Sequence, residues 1–121
     1  MPKTILIVED NAFNMKLLND VLQAESFETV CARSGEEALE LARKREPDLI
    51  LMDIRLPGMS GLEATRAIRA DSALAATPVV AVTAYAMNGD EKDVRAAGCN
   101  GFIGKPFSIE TLLATISGLL E

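Results

Sequence analysis

Histidine and tryptophan are missing from this chain of 121 residues, tyrosine occurs once and cysteine only twice. Without histidine there is no imidazole base, no histidine metal ligand and no place on the chain itself for a phosphohistidine. Cys31 and Cys99 form neither a CxxC pair nor a zinc spacing, so they read as reduced, packed thiols. Long apolar runs are missing too: no segment approaches the ~18 consecutive apolar residues of a membrane span. The first residues, MPKTILIVEDN, lack the apolar stretch and small-residue cleavage site of a secretion signal, which points to the cytoplasm. Positive charge is scarce, with 12 Lys and Arg against 18 Asp and Glu and a net charge of -6. A general nucleic-acid surface needs clustered cations to displace counterions, so the expected partners are proteins.

What is present suits one folded domain over residues 1–121. Independent domains cluster at ~100 to 150 residues, and 49% hydrophobic with 25% charged residues is a globular composition. Apolar runs at Thr4–Val8, Thr29–Ala32, Asp48–Met52, Pro78–Val82 and Gly101–Gly104 alternate with longer stretches of helical period. Three of the runs are nearly continuous, as in strands buried on both faces of a parallel sheet. In the first helical stretch Phe13, Leu17, Leu18, Val21 and Leu22 make one stripe. In the last, Ile109, Leu112, Leu113, Ile116, Leu119 and Leu120 make another. Ser34 with Glu37 and Ser60 with Glu63 read as capping boxes, Pro47 follows the second helix and Gly98 closes the fourth. Five strand-helix repeats with right-handed crossovers predict a doubly wound α/β fold with a five-stranded parallel sheet; the pattern alone does not fix the strand order, and the flavodoxin-like order 2-1-3-4-5 is the expectation for five such units.

Ligands of such sheets bind outside the carboxyl ends of the strands. There the first run ends in Glu9 and Asp10, the third in Asp53, the fourth in Thr83 and the fifth in Lys105 and Pro106. The second ends in Ala32 and Arg33, with no comparable group. Taken singly each has a plain structural role available: Asp10 or Asn11 as a helix cap, Thr83 as a strand residue, Lys105 as a solvated charge. Asp53 is harder to dismiss, because aspartate is disfavoured in strands and this one directly follows Leu49, Ile50, Leu51 and Met52. Two unit charges 4 Å apart repel by about 4 kcal/mol at an effective dielectric of 20, so clustered carboxylates call for a cation. An all-oxygen donor set favours Mg²⁺. With Glu9 and Asp10 on the metal, Asp53 retains an oxygen that can attack phosphorus, and Lys105 and Thr83 can hold the transferred group.

These residues resemble the receiver domain of bacterial response regulators. ILIVEDN, DLILMDIRLPGMSG, VVAVTA and FIGKP match its four hallmark blocks in order and spacing. EDNAFNMKLL, PVVAVTAYAMNGDE and the GC before FIGKP most resemble the single-domain DivK-type receivers of cell-cycle control. The resemblance implies Mg²⁺ binding by Glu9, Asp10, Asp53 and the main-chain carbonyl of Arg55. It implies phosphorylation of Asp53, phosphoryl contacts from Thr83 and Lys105, a cis Lys105-Pro106 bond, and Phe102 as the switch aromatic beside Thr83. Many receivers carry Tyr there, whereas Phe102 has no ring hydroxyl to bond.

The implied partners are a sensor histidine kinase or histidine phosphotransfer protein, and a downstream target on the face of the fourth helix, fifth strand and fifth helix. No output domain is expected. Met15, Leu18, Pro106 and Phe107 are candidates for a docking patch, and Arg55 with Tyr85 for screening the acyl phosphate. Enzyme activity is expected only as self-catalysed phosphotransfer and autodephosphorylation. A receiver excised from a hybrid kinase would read similarly. An aspartyl-phosphate phosphatase usually wants a general acid two residues after its nucleophile, where this chain has Arg55. A flavodoxin-like carrier would want a hydroxyl- and glycine-rich first loop and aromatic rings around the flavin.

Overall fold

Five strands of four or five residues carry the chain back and forth: β1 (Thr4–Val8), β2 (Glu28–Ala32), β3 (Leu49–Asp53), β4 (Val79–Thr83) and β5 (Gly101–Gly104). Each is followed by a helix: α1 (Ala12–Ala24), α2 (Gly35–Arg45), α3 (Gly61–Ala70), α4 (Asp90–Ala97) and α5 (Ile109–Leu120). The structure, a computed structural model, describes residues 2–83 and 90–120. All strand pairs are parallel, as the alternation predicts, and the order is the expected flavodoxin-like β2-β1-β3-β4-β5. Every residue of β3 and β4 is buried, which is why their sequences, LILMD and VVAVT, show no polar alternation.

The core is split by the sheet. Leu6, Val8, Ile50, Met52 and Ala81 face α2, α3 and α4 through Leu39, Ile68 and Val94. Ile5, Ile7, Leu49, Leu51 and Val80 face α1 and α5 through Leu18, Leu22, Leu112 and Ile116. The stripes on α1 and α5 are broader than what the sheet covers. Phe13, Leu17 and Ile109, expected to turn inward, are 76%, 47% and 52% exposed.

Local signals explain the helix boundaries. Ser60 and Glu63 make the full reciprocal box at α3. At α2 only half of the expected box forms. Ser34 Oγ accepts from the Glu37 N–H at 3.1 Å, but the Glu37 carboxylate turns to the Arg33 N–H instead. Asn11, not Asp10, caps α1 by accepting from the Asn14 N–H at 2.9 Å. The Asp10 carboxylate is therefore not used to begin the helix.

Candidate functional site

Adjacent strands β1 and β3 send their following helices to opposite faces of the sheet, which opens a crevice at their carboxyl ends. Val8 pairs with Met52, so Glu9 and Asp53 stand level across that crevice. Asp53 is itself the last residue of β3 and Thr83 the last of β4, one position beyond where the apolar runs end. Carboxylate oxygens of Glu9, Asp10 and Asp53 lie within 4.8 Å of one another. Glu9 and Asp53 are buried, at 2% and 6% exposure, while Asp10 faces solvent.

Each buried carboxylate is held. Glu9 Oε2 accepts from the Asn11 N–H at 3.2 Å, and Asp53 Oδ1 accepts from the Arg55 N–H at 2.9 Å. Lys105 donates to Glu9 Oε1 at 2.9 Å and stands 3.6 Å from Asp53 Oδ2. Burial, and then the neighbouring Glu9, push the Asp53 carboxyl up to about 7. Burial also raises Glu9, but its hydrogen bonds with Asp53, Lys105 and Asn11 outweigh that and leave it below the ordinary carboxylate range. Of the two, Asp53 is thus the carboxyl whose ionisation its surroundings oppose. Hard oxygen donors in this number and at this spacing fit a divalent cation such as Mg²⁺.

Thr83 is fully buried, and its carbonyl accepts from the Lys105 N–H at 2.6 Å, so the two candidate phosphoryl contacts are tied by backbone. The Lys105-Pro106 peptide is cis. Phe102 is partly buried and stands in register with Ala81, two positions before Thr83 on the same side of the sheet. Arg55 is exposed beside the site, while Tyr85 lies outside the described residues.

Of the candidate docking residues, Leu18, Pro106 and Phe107 line one cavity of about 350 Å³ together with Glu9, Asn14, Leu17 and Lys105. Met15 does not join them; it lies on the wall of a separate groove with Asn19, Cys31 and Arg33. Leu18 is only 4% exposed and forms the cavity floor. Sequence reasoning missed the accessible Leu17 of this cavity, and with it the exposed Phe13 and Ile109, because helical period alone assigns every apolar residue of a stripe to the core.

A family model described as the response regulator receiver domain matches residues 5–117. The chain belongs to that family. The polar-differentiation response regulator DivK of Brucella anthropi is 52% identical over 120 residues, covering 99% of this chain and 98% of that one. DivK of Brucella ovis is equally similar over the same span. Among solved structures, the chemotaxis protein CheY4 of Vibrio cholerae superposes with a TM-score of 0.94 at 32% identity, covering 99% of this chain and all of that one. The receiver domain of a sensor histidine kinase of Pseudomonas aeruginosa, with a magnesium ion coordinated in its active site cleft, gives 0.93 at 33%, covering 99% and 98%. This receiver is thus a two-component signalling protein of DivK-like sequence. Among its described residues no helix is long and apolar enough to cross a membrane.

Proposed function

We propose that this receiver is a phosphorylation switch whose acceptor is Asp53. The observation that carries the reading is the joint placement of a buried Asp53 with Glu9, Asp10 and Lys105 at one strand edge. Structural ion-pair networks do not need three converging carboxylates with a raised acid among them, whereas a metal-assisted acceptor does. Glu9, Asp10, Asp53 and the Arg55 carbonyl are the residues that would hold Mg²⁺. When bound, the ion supplies positive charge that keeps Asp53 ionised and offsets charge on the phosphoryl oxygens.

The donor is a phosphohistidine on a separate kinase or phosphotransfer protein, since this chain has no histidine of its own. An Asp53 carboxylate oxygen forms the new P–O bond as the donor's P–N bond breaks, and the departing imidazole keeps the electron pair. Thr83 and Lys105 each hold a phosphoryl oxygen, and Phe102 follows Thr83 as it turns toward the group. The output is binding through the face of α4, β5 and α5, biased by that rearrangement. The donor docks over the apolar cavity next to Glu9 and Lys105, touching Leu17, Pro106 and Phe107, and the exposed Phe13 on the same helix as Leu17 adds apolar surface. The likeness to polar-differentiation regulators supports a role in cell-cycle or cell-division control, in the cytoplasm.

The deciding experiment is intact mass after incubation with Mg²⁺ and acetyl phosphate, with Asp53→Asn in parallel. A gain of one phosphoryl group in the wild type alone is expected. A gain that persists in the variant would place the acceptor elsewhere.

A further inference from the structure

At the far end of α3 from the acidic cluster, Arg69 gathers three segments of chain. Its Nε donates to the Gly98 carbonyl at 2.8 Å, its Nη1 to the Thr77 and Ala75 carbonyls at 2.8 and 3.2 Å, and its Nη2 to Asn100 Oδ1 at 2.5 Å. The three carbonyls belong to turns, outside any helix or strand ladder, and a planar guanidinium with five donors is suited to collecting them. Asn100 is locked in turn: its Oδ1 also accepts from the Val79 N–H at 2.9 Å, and its own N–H donates to the Val79 carbonyl at 2.7 Å.

The stem of Arg69 fixes the same point by packing. Gly98 ends α4 with φ +107°, and a Cβ there would lie 2.7 Å from Arg69 Cγ. Position 98 therefore needs glycine for its backbone and also for the arginine that lies on it. Cys99 follows with its thiol 3.8 Å from the hydroxyl of the fully buried Thr65, which donates to the Gly61 carbonyl. At the other end of the helix a Cβ on Gly61 would meet the Asp53 carbonyl oxygen at 2.2 Å. One rigid helix, roughly 12 Å from Gly61 to Arg69 at ~1.5 Å per residue, thus abuts the backbone of the acceptor and clasps the α4–β5 junction.

We propose that Arg69 is a positioning residue that makes Gly98–Asn100 the fixed pivot of the phosphorylation response, so that α4 moves about its carboxyl end. The pivot rests on the proposed acceptor role of Asp53. Thr83, level with Gly104, and Phe102, level with Ala81, lie farther along β4 and β5 from this junction, toward the acceptor's end of the sheet. Gly98 and Asn100 are bonded to α3 and β4 and move only with them.

The test is hydrogen exchange read by peptide mass spectrometry on the full chain, before and after phosphorylation with acetyl phosphate and Mg²⁺, in the wild type and in Arg69→Met. Methionine keeps an unbranched stem over Gly98 and removes all four hydrogen bonds. In the wild type, phosphorylation is expected to alter exchange along α4 and leave Gly98–Asn100 unchanged. In the variant, Asp53 accepts the phosphoryl group at a rate within about twofold of wild type, because the site is untouched. Exchange at residues 98–104 rises about tenfold or more and becomes sensitive to phosphorylation. A wild type that takes up the phosphoryl group but responds as strongly at 98–100 as along α4 overturns the pivot alone. So does a variant whose exchange at 98–104 matches wild type in both states. A wild type that takes up no phosphoryl group overturns the acceptor reading and the pivot with it.

Discussion

Lys105 and Glu9, 96 positions apart in the chain, form an ion pair of 2.9 Å across the edge of the sheet. The ammonium proposed to hold a phosphoryl oxygen is thus paired with a proposed metal ligand. Replacing it, as Lys105→Met, removes a cation that competes with the metal for Glu9. Mg²⁺ should bind the variant several-fold more tightly while phosphoryl uptake slows. A fluorescence or calorimetric Mg²⁺ titration checks the first half, and equal or weaker binding would count against it.

The raised Asp53 carboxyl makes a statement about pH. Its folded pKa of about 7 lies above the ordinary 3.8, so the stability linked to it is fully present below 3.8 and is lost as pH rises through about 7. Glu9, held low, works the other way: its contribution is present above 4.5 and is lost only as pH falls through its depressed folded value. Between those ranges Asp53 dominates. Urea unfolding in the presence of a chelator should show stability declining from about pH 5 to pH 7, and saturating Mg²⁺ should flatten or reverse the slope. A chelated protein that gains stability over that range would contradict the raised Asp53 carboxyl.

Asp53→Asn should be inert as an acceptor and more stable than wild type without metal. The change removes a buried acid whose ionised form Glu9 opposes, and a gain of about 1 kcal/mol would raise the melting temperature by roughly 4 °C. Thermal scans in chelator measure it. A drop in melting temperature would mean that the acid is better accommodated than its surroundings indicate.

Gly61→Ala tests the closeness of α3 to the acceptor backbone. A methyl group 2.2 Å from the Asp53 carbonyl oxygen must displace β3 or the first turn of the helix, at about 1–3 kcal/mol or more. Chemical denaturation should show the loss, accompanied by weakened Mg²⁺ binding because Asp53 and Arg55 shift together. A variant as stable as wild type would show that the turn yields freely.

Leu17→Ala with Phe13→Ala should slow transfer from a phosphohistidine partner while leaving uptake from acetyl phosphate unchanged, because neither side chain belongs to the acidic cluster. Arg55→Ala with Tyr85→Ala should instead shorten the life of the acyl phosphate several-fold by admitting water. Transfer kinetics and loss of label separate the two effects. An unchanged hydrolysis rate in the second pair would end the screening idea.

The strands themselves and the members of the strand-edge cluster were legible because they follow from patterns the sequence must carry, while the strand order was an analogy to other folds of five such units. A buried parallel strand has to be apolar on both faces, and a carboxylate placed straight after LILM has few structural uses. What stayed hidden depends on which neighbour arrives. Glu37 reads as the partner of Ser34, yet the Arg33 N–H takes its carboxylate. Phe13 and Leu17 look like core on a helical wheel, yet among the described residues no neighbouring element covers them. Arg69 carries no signal at all at the level of spacing. Three of its four acceptors are carbonyls of turns, which any residue could provide, and the fourth is the side chain of Asn100, 31 positions away.

The burial of all five residues of β3 has one more consequence. Paired on both sides and covered on both faces, that strand belongs among the last parts of the molecule to open, so its terminal carboxylate stands on the stiffest ground available. A group attached there meets an anvil rather than a lever. Any message that a group placed there starts would have to be carried by other side chains, and the same rigidity would keep the proposed docking geometry constant from one donor encounter to the next.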